Sequence, residues 1–174
     1  MKRFVLTFSI VAAVVVSPFV RAEEQSLSDE QLNAIVANCT TAQVALRRVQ
    51  QSDKPVRINR GYQYDSLLKL MTSLNTRAAG NRLDVPDLLT ATSQFEEKIK
   101  QFTQQYTDYD RALSHVQTMS CRETPTDFYD RLSDLRSDRE ALHKSVGEME
   151  ELLNTYAKSV QLVRTQVEQR SAQP

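Results

Sequence analysis

The chain has 174 residues, with 22 Lys and Arg against 22 Asp and Glu, no tryptophan, three glycines and five prolines. That length is one ordinary domain, and so few breakers in a chain rich in Gln, Leu, Glu and Arg predict long helices and an all-α fold. The charges are interspersed, so no basic stripe marks a nucleic-acid or anionic-lipid surface.

Residues 1–22 read as a secretory signal peptide, and residues 23–174 as a single helical bundle domain. Lys2 and Arg3 precede an apolar run from Phe4 to Val16, Pro18 breaks it, and Val20 and Ala22 stand where a signal peptidase reads. Even stretched to Val20 the run is roughly 17 residues, short for a membrane span; an uncleaved anchor is the rival reading. Cleavage before Glu23 removes Lys2, Arg3 and Arg21 and no acid, leaving three fewer bases than the 22 acids, a net charge of −3. No later segment approaches spanning length, so no membrane span is expected after cleavage.

The first helix is expected over about residues 28–79. Ser28 is placed to cap it, with Gln31 completing a capping box and Leu27 stapling against Leu32. Leu32, Cys39 and Leu46 alternate with Ile35, Ala42 and Val49 at coiled-coil spacing. Beyond Pro55 the stripe resumes as Tyr64, Leu67, Met71, Leu74 and Ala78, and Gly80 supplies a stop. The second helix is expected over about residues 85–121, with Asp84 as cap and Pro86 in its first turn. Leu88, Phe95, Phe102, Tyr109 and Val116 recur every seven positions, with Thr92, Ile99, Tyr106 and Leu113 between them. The third is expected over about residues 125–169, capped by Thr124 and opened by Pro125. Phe128, Leu135, Leu142, Met149, Tyr156 and Val163 hold one seam; Leu132, Arg139, Val146, Leu153, Val160 and Val167 hold the other.

Pro55 leaves two architectures open. It ends a helix and gives a four-helix bundle, or it kinks a continuous first helix within a long antiparallel three-helix bundle. A proline inside a helix costs roughly 3 kcal/mol, which favours the turn. The two cysteines, Cys39 and Cys121, favour the kink. Antiparallel pairing through a turn near residue 82 brings Cys121 within about one turn of Cys39, whereas four helices separate them by about 40 Å. A disulfide needs Cα atoms within about 7 Å, and exported chains with two cysteines usually pair them. The three-helix bundle with a Cys39–Cys121 disulfide is therefore the expected fold, with two reduced core thiols as the alternative.

The residues that carry chemistry elsewhere give little here. His115 and His143, the only histidines, fall about twelve residues apart along the bundle, and neither has a Cys or second His at zinc spacing. There is no haem-attachment motif, no phosphate loop and no serine set in a triad pattern. Glu96-Glu97 and Glu150-Glu151 suit solvated helix faces. No catalytic residue, cofactor or metal is therefore expected, and no enzymatic activity. One irregularity remains. Arg139 interrupts an apolar seam at the level of Asp108 and Asp110 on the second helix and Arg57 on the first. The plainer reading is an arginine that lays its stem on the core and reaches for water. The sharper one is a polar core layer of Arg57, Asp108, Asp110 and Arg139 that fixes helix register.

The stretches "RINRGYQYDSLLKLMTSLNTRAAGNRLD", "FTQQYTDYD", "CRETPTDFYDRL" and "LRSDREALHKSV" resemble a family of secreted, coiled-coil-like helical proteins from ultrasmall bacteria of the candidate phyla radiation, the saccharibacterial and related lineages. The resemblance covers roughly Cys39 to Tyr156 and rests on the spacing of ordinary residues. It implies an exported bundle and nothing catalytic; Pro55 departs from the uninterrupted helix of the relatives. The function expected is an exported structural or adaptor module that binds protein partners outside the cytoplasmic membrane, with self-association as a further use of the heptads. The alternative is an extracytoplasmic holdase chaperone, which needs exposed apolar surface.

Overall fold

A computed structural model describes residues 27–172. The expected signal peptide and its cleavage site lie outside the described residues. Three helices make up the fold: α1 (Asp29–Gly80), α2 (Pro86–Thr118) and α3 (Pro125–Ser171). Short turns join them, so α2 runs antiparallel to both neighbours and α1 runs parallel to α3.

Pro55 lies inside an uninterrupted α1 of 52 residues. The chain does not turn there, and the four-helix alternative is not realised. The reason is tertiary. Cys39 and Cys121 form a disulfide with Cα atoms 5.6 Å apart, which ties the first third of α1 to the α2–α3 turn. Buried Leu46, Tyr64 and Met71 carry the same stripe past the proline on both sides. Burial of the stripe on both sides of the proline, together with the disulfide, outweighs one missing N–H and the steric penalty.

The positions of most helix ends follow the sequence, and the chemistry of the caps departs from it. Ser28 caps α1 through the full capping box: the Gln31 amide donates to its Oγ (3.3 Å), and its own amide donates to Gln31 Oε1 (2.9 Å). Gly80 is not the left-handed stop. It remains in the helix, and the positive φ of 55° falls on Arg82. The Leu83 amide donates to the Ala78 carbonyl (3.1 Å) and the Arg82 amide to the Ala79 carbonyl (2.9 Å), closing a Schellman motif with arginine where glycine is usual. Asp84 does not cap α2; Val85 holds that position without a side-chain bond, and Pro86 opens the helix. Thr124 stands at the N-cap of α3 and Pro125 opens the helix as expected, but the Thr124 hydroxyl donates to the Ser120 carbonyl (3.2 Å) and makes no cap bond. α2 stops at Thr118, short of the expected Cys121, because the disulfide sits on the connecting turn rather than on the helix.

The core is a column of seam residues, with Phe95, Leu142, Met149 and Cys121 fully buried. Tyr64 of α1 meets Phe95 and Phe102 of α2 edge-on, with centroids 5.9 and 5.6 Å away. The three interfaces are unequal: α2 packs closely on both neighbours, whereas α1 and α3 touch each other much less. The molecule therefore has one loosely closed edge, between α1 and α3.

Candidate functional site

Two polar layers and one apolar crease lie along the α1–α3 edge. The first layer stands midway along the bundle. Asp53, one turn before the buried Arg57, accepts from both Nε and Nη2 of Arg139 at 3.1 Å each, and from the Tyr109 hydroxyl at 3.0 Å. The Arg57 guanidinium lies over the Tyr109 ring, 5.7 Å from its centroid. Arg57 is only 8% exposed, and its Nε has no hydrogen-bond partner in the layer. Burial lowers the basicity of Arg57 against the opposing pull of Asp53. Burial, reinforced by the bond to the Asp53 carboxylate, pushes the Tyr109 hydroxyl up to about 12.

The layer thus contains Arg57 and Arg139 at the expected level, but its acid comes from another helix. Asp108 is exposed and accepts from Gln104 (2.9 Å) and Arg111 (3.2 Å) on its own helix. Asp110 is half-buried beside Tyr106 and makes no bond to Arg139. The cause is geometric. Arg139 and both aspartates are level along the bundle, but Asp108 and Asp110 flank the buried seam residue Tyr109 and project to its two sides. The arginine instead extends across the open edge to α1, where Asp53 stands. The signal was present in "SDKPVR": an acid four positions before a cation on one helix face.

The second layer was not anticipated. Buried Asn75 of α1 donates to the Thr92 hydroxyl (2.8 Å) and the Leu88 carbonyl (3.3 Å) of α2. The Tyr156 hydroxyl of α3 donates to Asn75 Oδ1 (2.8 Å) and is 3.1 Å from the Met71 carbonyl. One side chain from each helix therefore meets at a single level, a device that fixes helix register. Asn75 stands four residues after the seam position Met71, which is the sign sequence reading overlooked.

Beyond Asn75, toward the C-terminal ends of α1 and α3, the edge becomes an apolar crease of about 260 Å³. Leu74, Leu83, Leu88, Val160, Val163 and Val167 form it, and Arg77 and Arg164 are its charged residues. The grooves between α2 and α3 differ in chemistry. One, of about 750 Å³, carries Glu96, Glu97, Lys98, Lys100 and Glu148, with Lys98 and Glu148 paired across it. Another, of about 720 Å³, gathers His115, Arg111, Arg131, Asp134 and Asp138 on exposed side chains of both signs. His143 is exposed on α3, away from both. Among the described residues no group of three His, Cys, Asp or Glu side chains is placed to hold a metal ion, and no helix is long and apolar enough to cross a membrane.

No family model, curated protein or solved structure matches this chain.

Proposed function

We propose that the chain is an exported, non-enzymatic helical adaptor that holds a protein partner outside the cytoplasmic membrane. The observation that carries this reading is the unequal closure of the bundle. α2 is packed on both sides, while the heptad seams of α1 and α3 run on along an edge that stays partly open, with Leu74 and Val167 exposed there. A rod whose seam stays open toward the C-terminal ends of α1 and α3, and is apolar there, is suited to accept another helix. The Cys39–Cys121 disulfide is compatible with an oxidising compartment, and the signal-like residues 1–22 and the resemblance over Cys39 to Tyr156 point the same way.

A second reading draws on Val56, Tyr62 and Leu70, large apolar side chains exposed along α1. A holdase chaperone needs such surface. The two readings separate in crosslinking and mass spectrometry of the native cell envelope. One stoichiometric partner is expected for the adaptor. Recovery of many unfolded clients, together with suppression of aggregation of a denatured test protein, would replace it with the holdase.

A further inference from the structure

We infer that the crease between the C-terminal ends of α1 and α3 receives an acidic amphipathic helix of the partner protein. The inference rests on the adaptor reading and specifies the chemistry of what is held. The shape argues for a helix. At about 260 Å³ the crease is smaller than an ordinary small-molecule pocket. Its walls belong to two parallel helices, with Leu74 and Ala78 one turn apart on one side and Val160, Val163 and Val167 at coiled-coil spacing on the other. Such walls offer holes to the side chains of a third helix. Leu70, 67% exposed one turn before Leu74, extends the apolar surface toward solvent.

The charges argue for an acidic occupant. Arg77 and Arg164 line the crease, and no acidic side chain does. Arg164 donates to Glu168 one turn away (2.9 Å), which partly occupies it. Arg77 bonds only the Ser73 hydroxyl (3.1 Å) and has no carboxylate within ion-pair reach among the described residues. Glutamates flanking the apolar stripe of an incoming helix would meet both arginines, and lysines there would be repelled. The same arrangement disfavours a second copy of this chain. A two-fold contact sets crease against crease and gathers Arg77 and Arg164 of both copies at one interface, with no acidic side chain of the crease to offset them.

The test uses the disulfide-bonded chain from residue 23 onward. Two fluorescent three-heptad peptides serve as probes, both with leucine at a and d, one with glutamate and one with lysine at e and g. The glutamate peptide is expected to bind, more weakly as salt rises, and the lysine peptide to bind at least about tenfold less tightly. The double variant Arg77→Glu, Arg164→Glu should reverse that preference without unfolding the chain. Leu74→Gln with Val167→Gln should remove binding of both peptides while leaving the helical circular dichroism unchanged. Equal binding of the two peptides, binding of neither, or a preference that ignores the charge reversal overturns the inference. So does Arg77-dependent binding to phosphatidylglycerol vesicles in place of the peptide, or dimerisation that the Leu74 and Val167 substitutions abolish. Photocrosslinkers at Leu70 and at Leu89, an exposed residue of α2, keep the two readings apart in cells. A specific partner trapped only through Leu89 overturns the crease and leaves the adaptor. No specific partner at either position overturns both.

Discussion

Asp53 accepts hydrogen bonds from Tyr109 and from two nitrogens of Arg139, and its side chain is only 14% exposed. Removing it leaves the buried Arg57 without its nearest counter-charge and the Tyr109 hydroxyl without its acceptor. Arg139, at 45% side-chain exposure, recovers water. Asp53→Ala is therefore expected to destabilise by about 2 kcal/mol, below the 3–5 of a fully buried pair. Asp108→Ala should stay within about 0.5 kcal/mol, since its contacts are local and exposed. Urea melts of the single variants, with double-mutant cycles of Arg139 with Asp53 and with Asp108, measure both; a coupling of Arg139 to Asp108 equal to that with Asp53 would refute the assignment. Tyr109 gives a pH signature. Its hydroxyl is held up to about 12 mainly by burial, against 10 in the unfolded chain. A folded-state pKa above the unfolded one means that this contribution is fully present below pH 10 and is lost as pH rises from 10 to 12. Comparing the wild type with Tyr109→Phe over that range should show about 2 kcal/mol more loss in the wild type. Parallel curves would mean that Tyr109 ionises as freely in the folded chain as in the unfolded one.

At the scale of the helix, α1 and the turn that follows it carry two local violations that tertiary packing holds in place. Pro55 removes one backbone donor from the middle of a 52-residue helix. Pro55 is itself exposed, so alanine there adds a bond and removes a clash without disturbing the core. Pro55→Ala is expected to stabilise by about 1–3 kcal/mol in thermal or chemical melts. Loss of stability would instead mean that the bundle is built around a proline distortion that a straight helix cannot satisfy. Arg82 is the second violation, a side-chain-bearing residue at φ 55° in the Schellman turn. Arg170 of α3 reaches across to accept this strain, donating to the Arg82 and Asn81 carbonyls at 2.8 and 3.1 Å. Those bonds engage backbone oxygens that glycine also has. Arg82→Gly should therefore add about 1 kcal/mol and leave the turn intact.

For the whole molecule, the disulfide and the open edge work together. The bond closes a loop across a sequence separation of 82, which in the chain-entropy model stabilises the fold by about 4–5 kcal/mol. It also supplies what α1 lacks in contact with α3, since α1 is held chiefly by α2. Cys39→Ser with Cys121→Ser should lower stability by several kcal/mol. In hydrogen exchange the half of α1 before Pro55 should open first, while the closely packed α2–α3 pair keeps its protection. Uniform loss of protection across all three helices would show that the bundle opens as one unit and that the bond has no local role.

Seven-residue spacing determined three long helices and the seam residues of each, and the S-x-x-Q pattern the Ser28 capping box, because these are local rules that hold along the chain. The pairing of Cys39 with Cys121 followed only once three helices were preferred to four. The passage of α1 through Pro55 was a contest between a local penalty and a long-range bond, and only their relative size settled it. The partner of Arg139, the Asn75–Thr92–Tyr156 layer and the left-handed Arg82 were decided by the tertiary structure. Spacing along one helix fixes the level at which a side chain sits; which neighbour it faces depends on how helices rotate about their axes, and that rotation is set by packing the whole core at once.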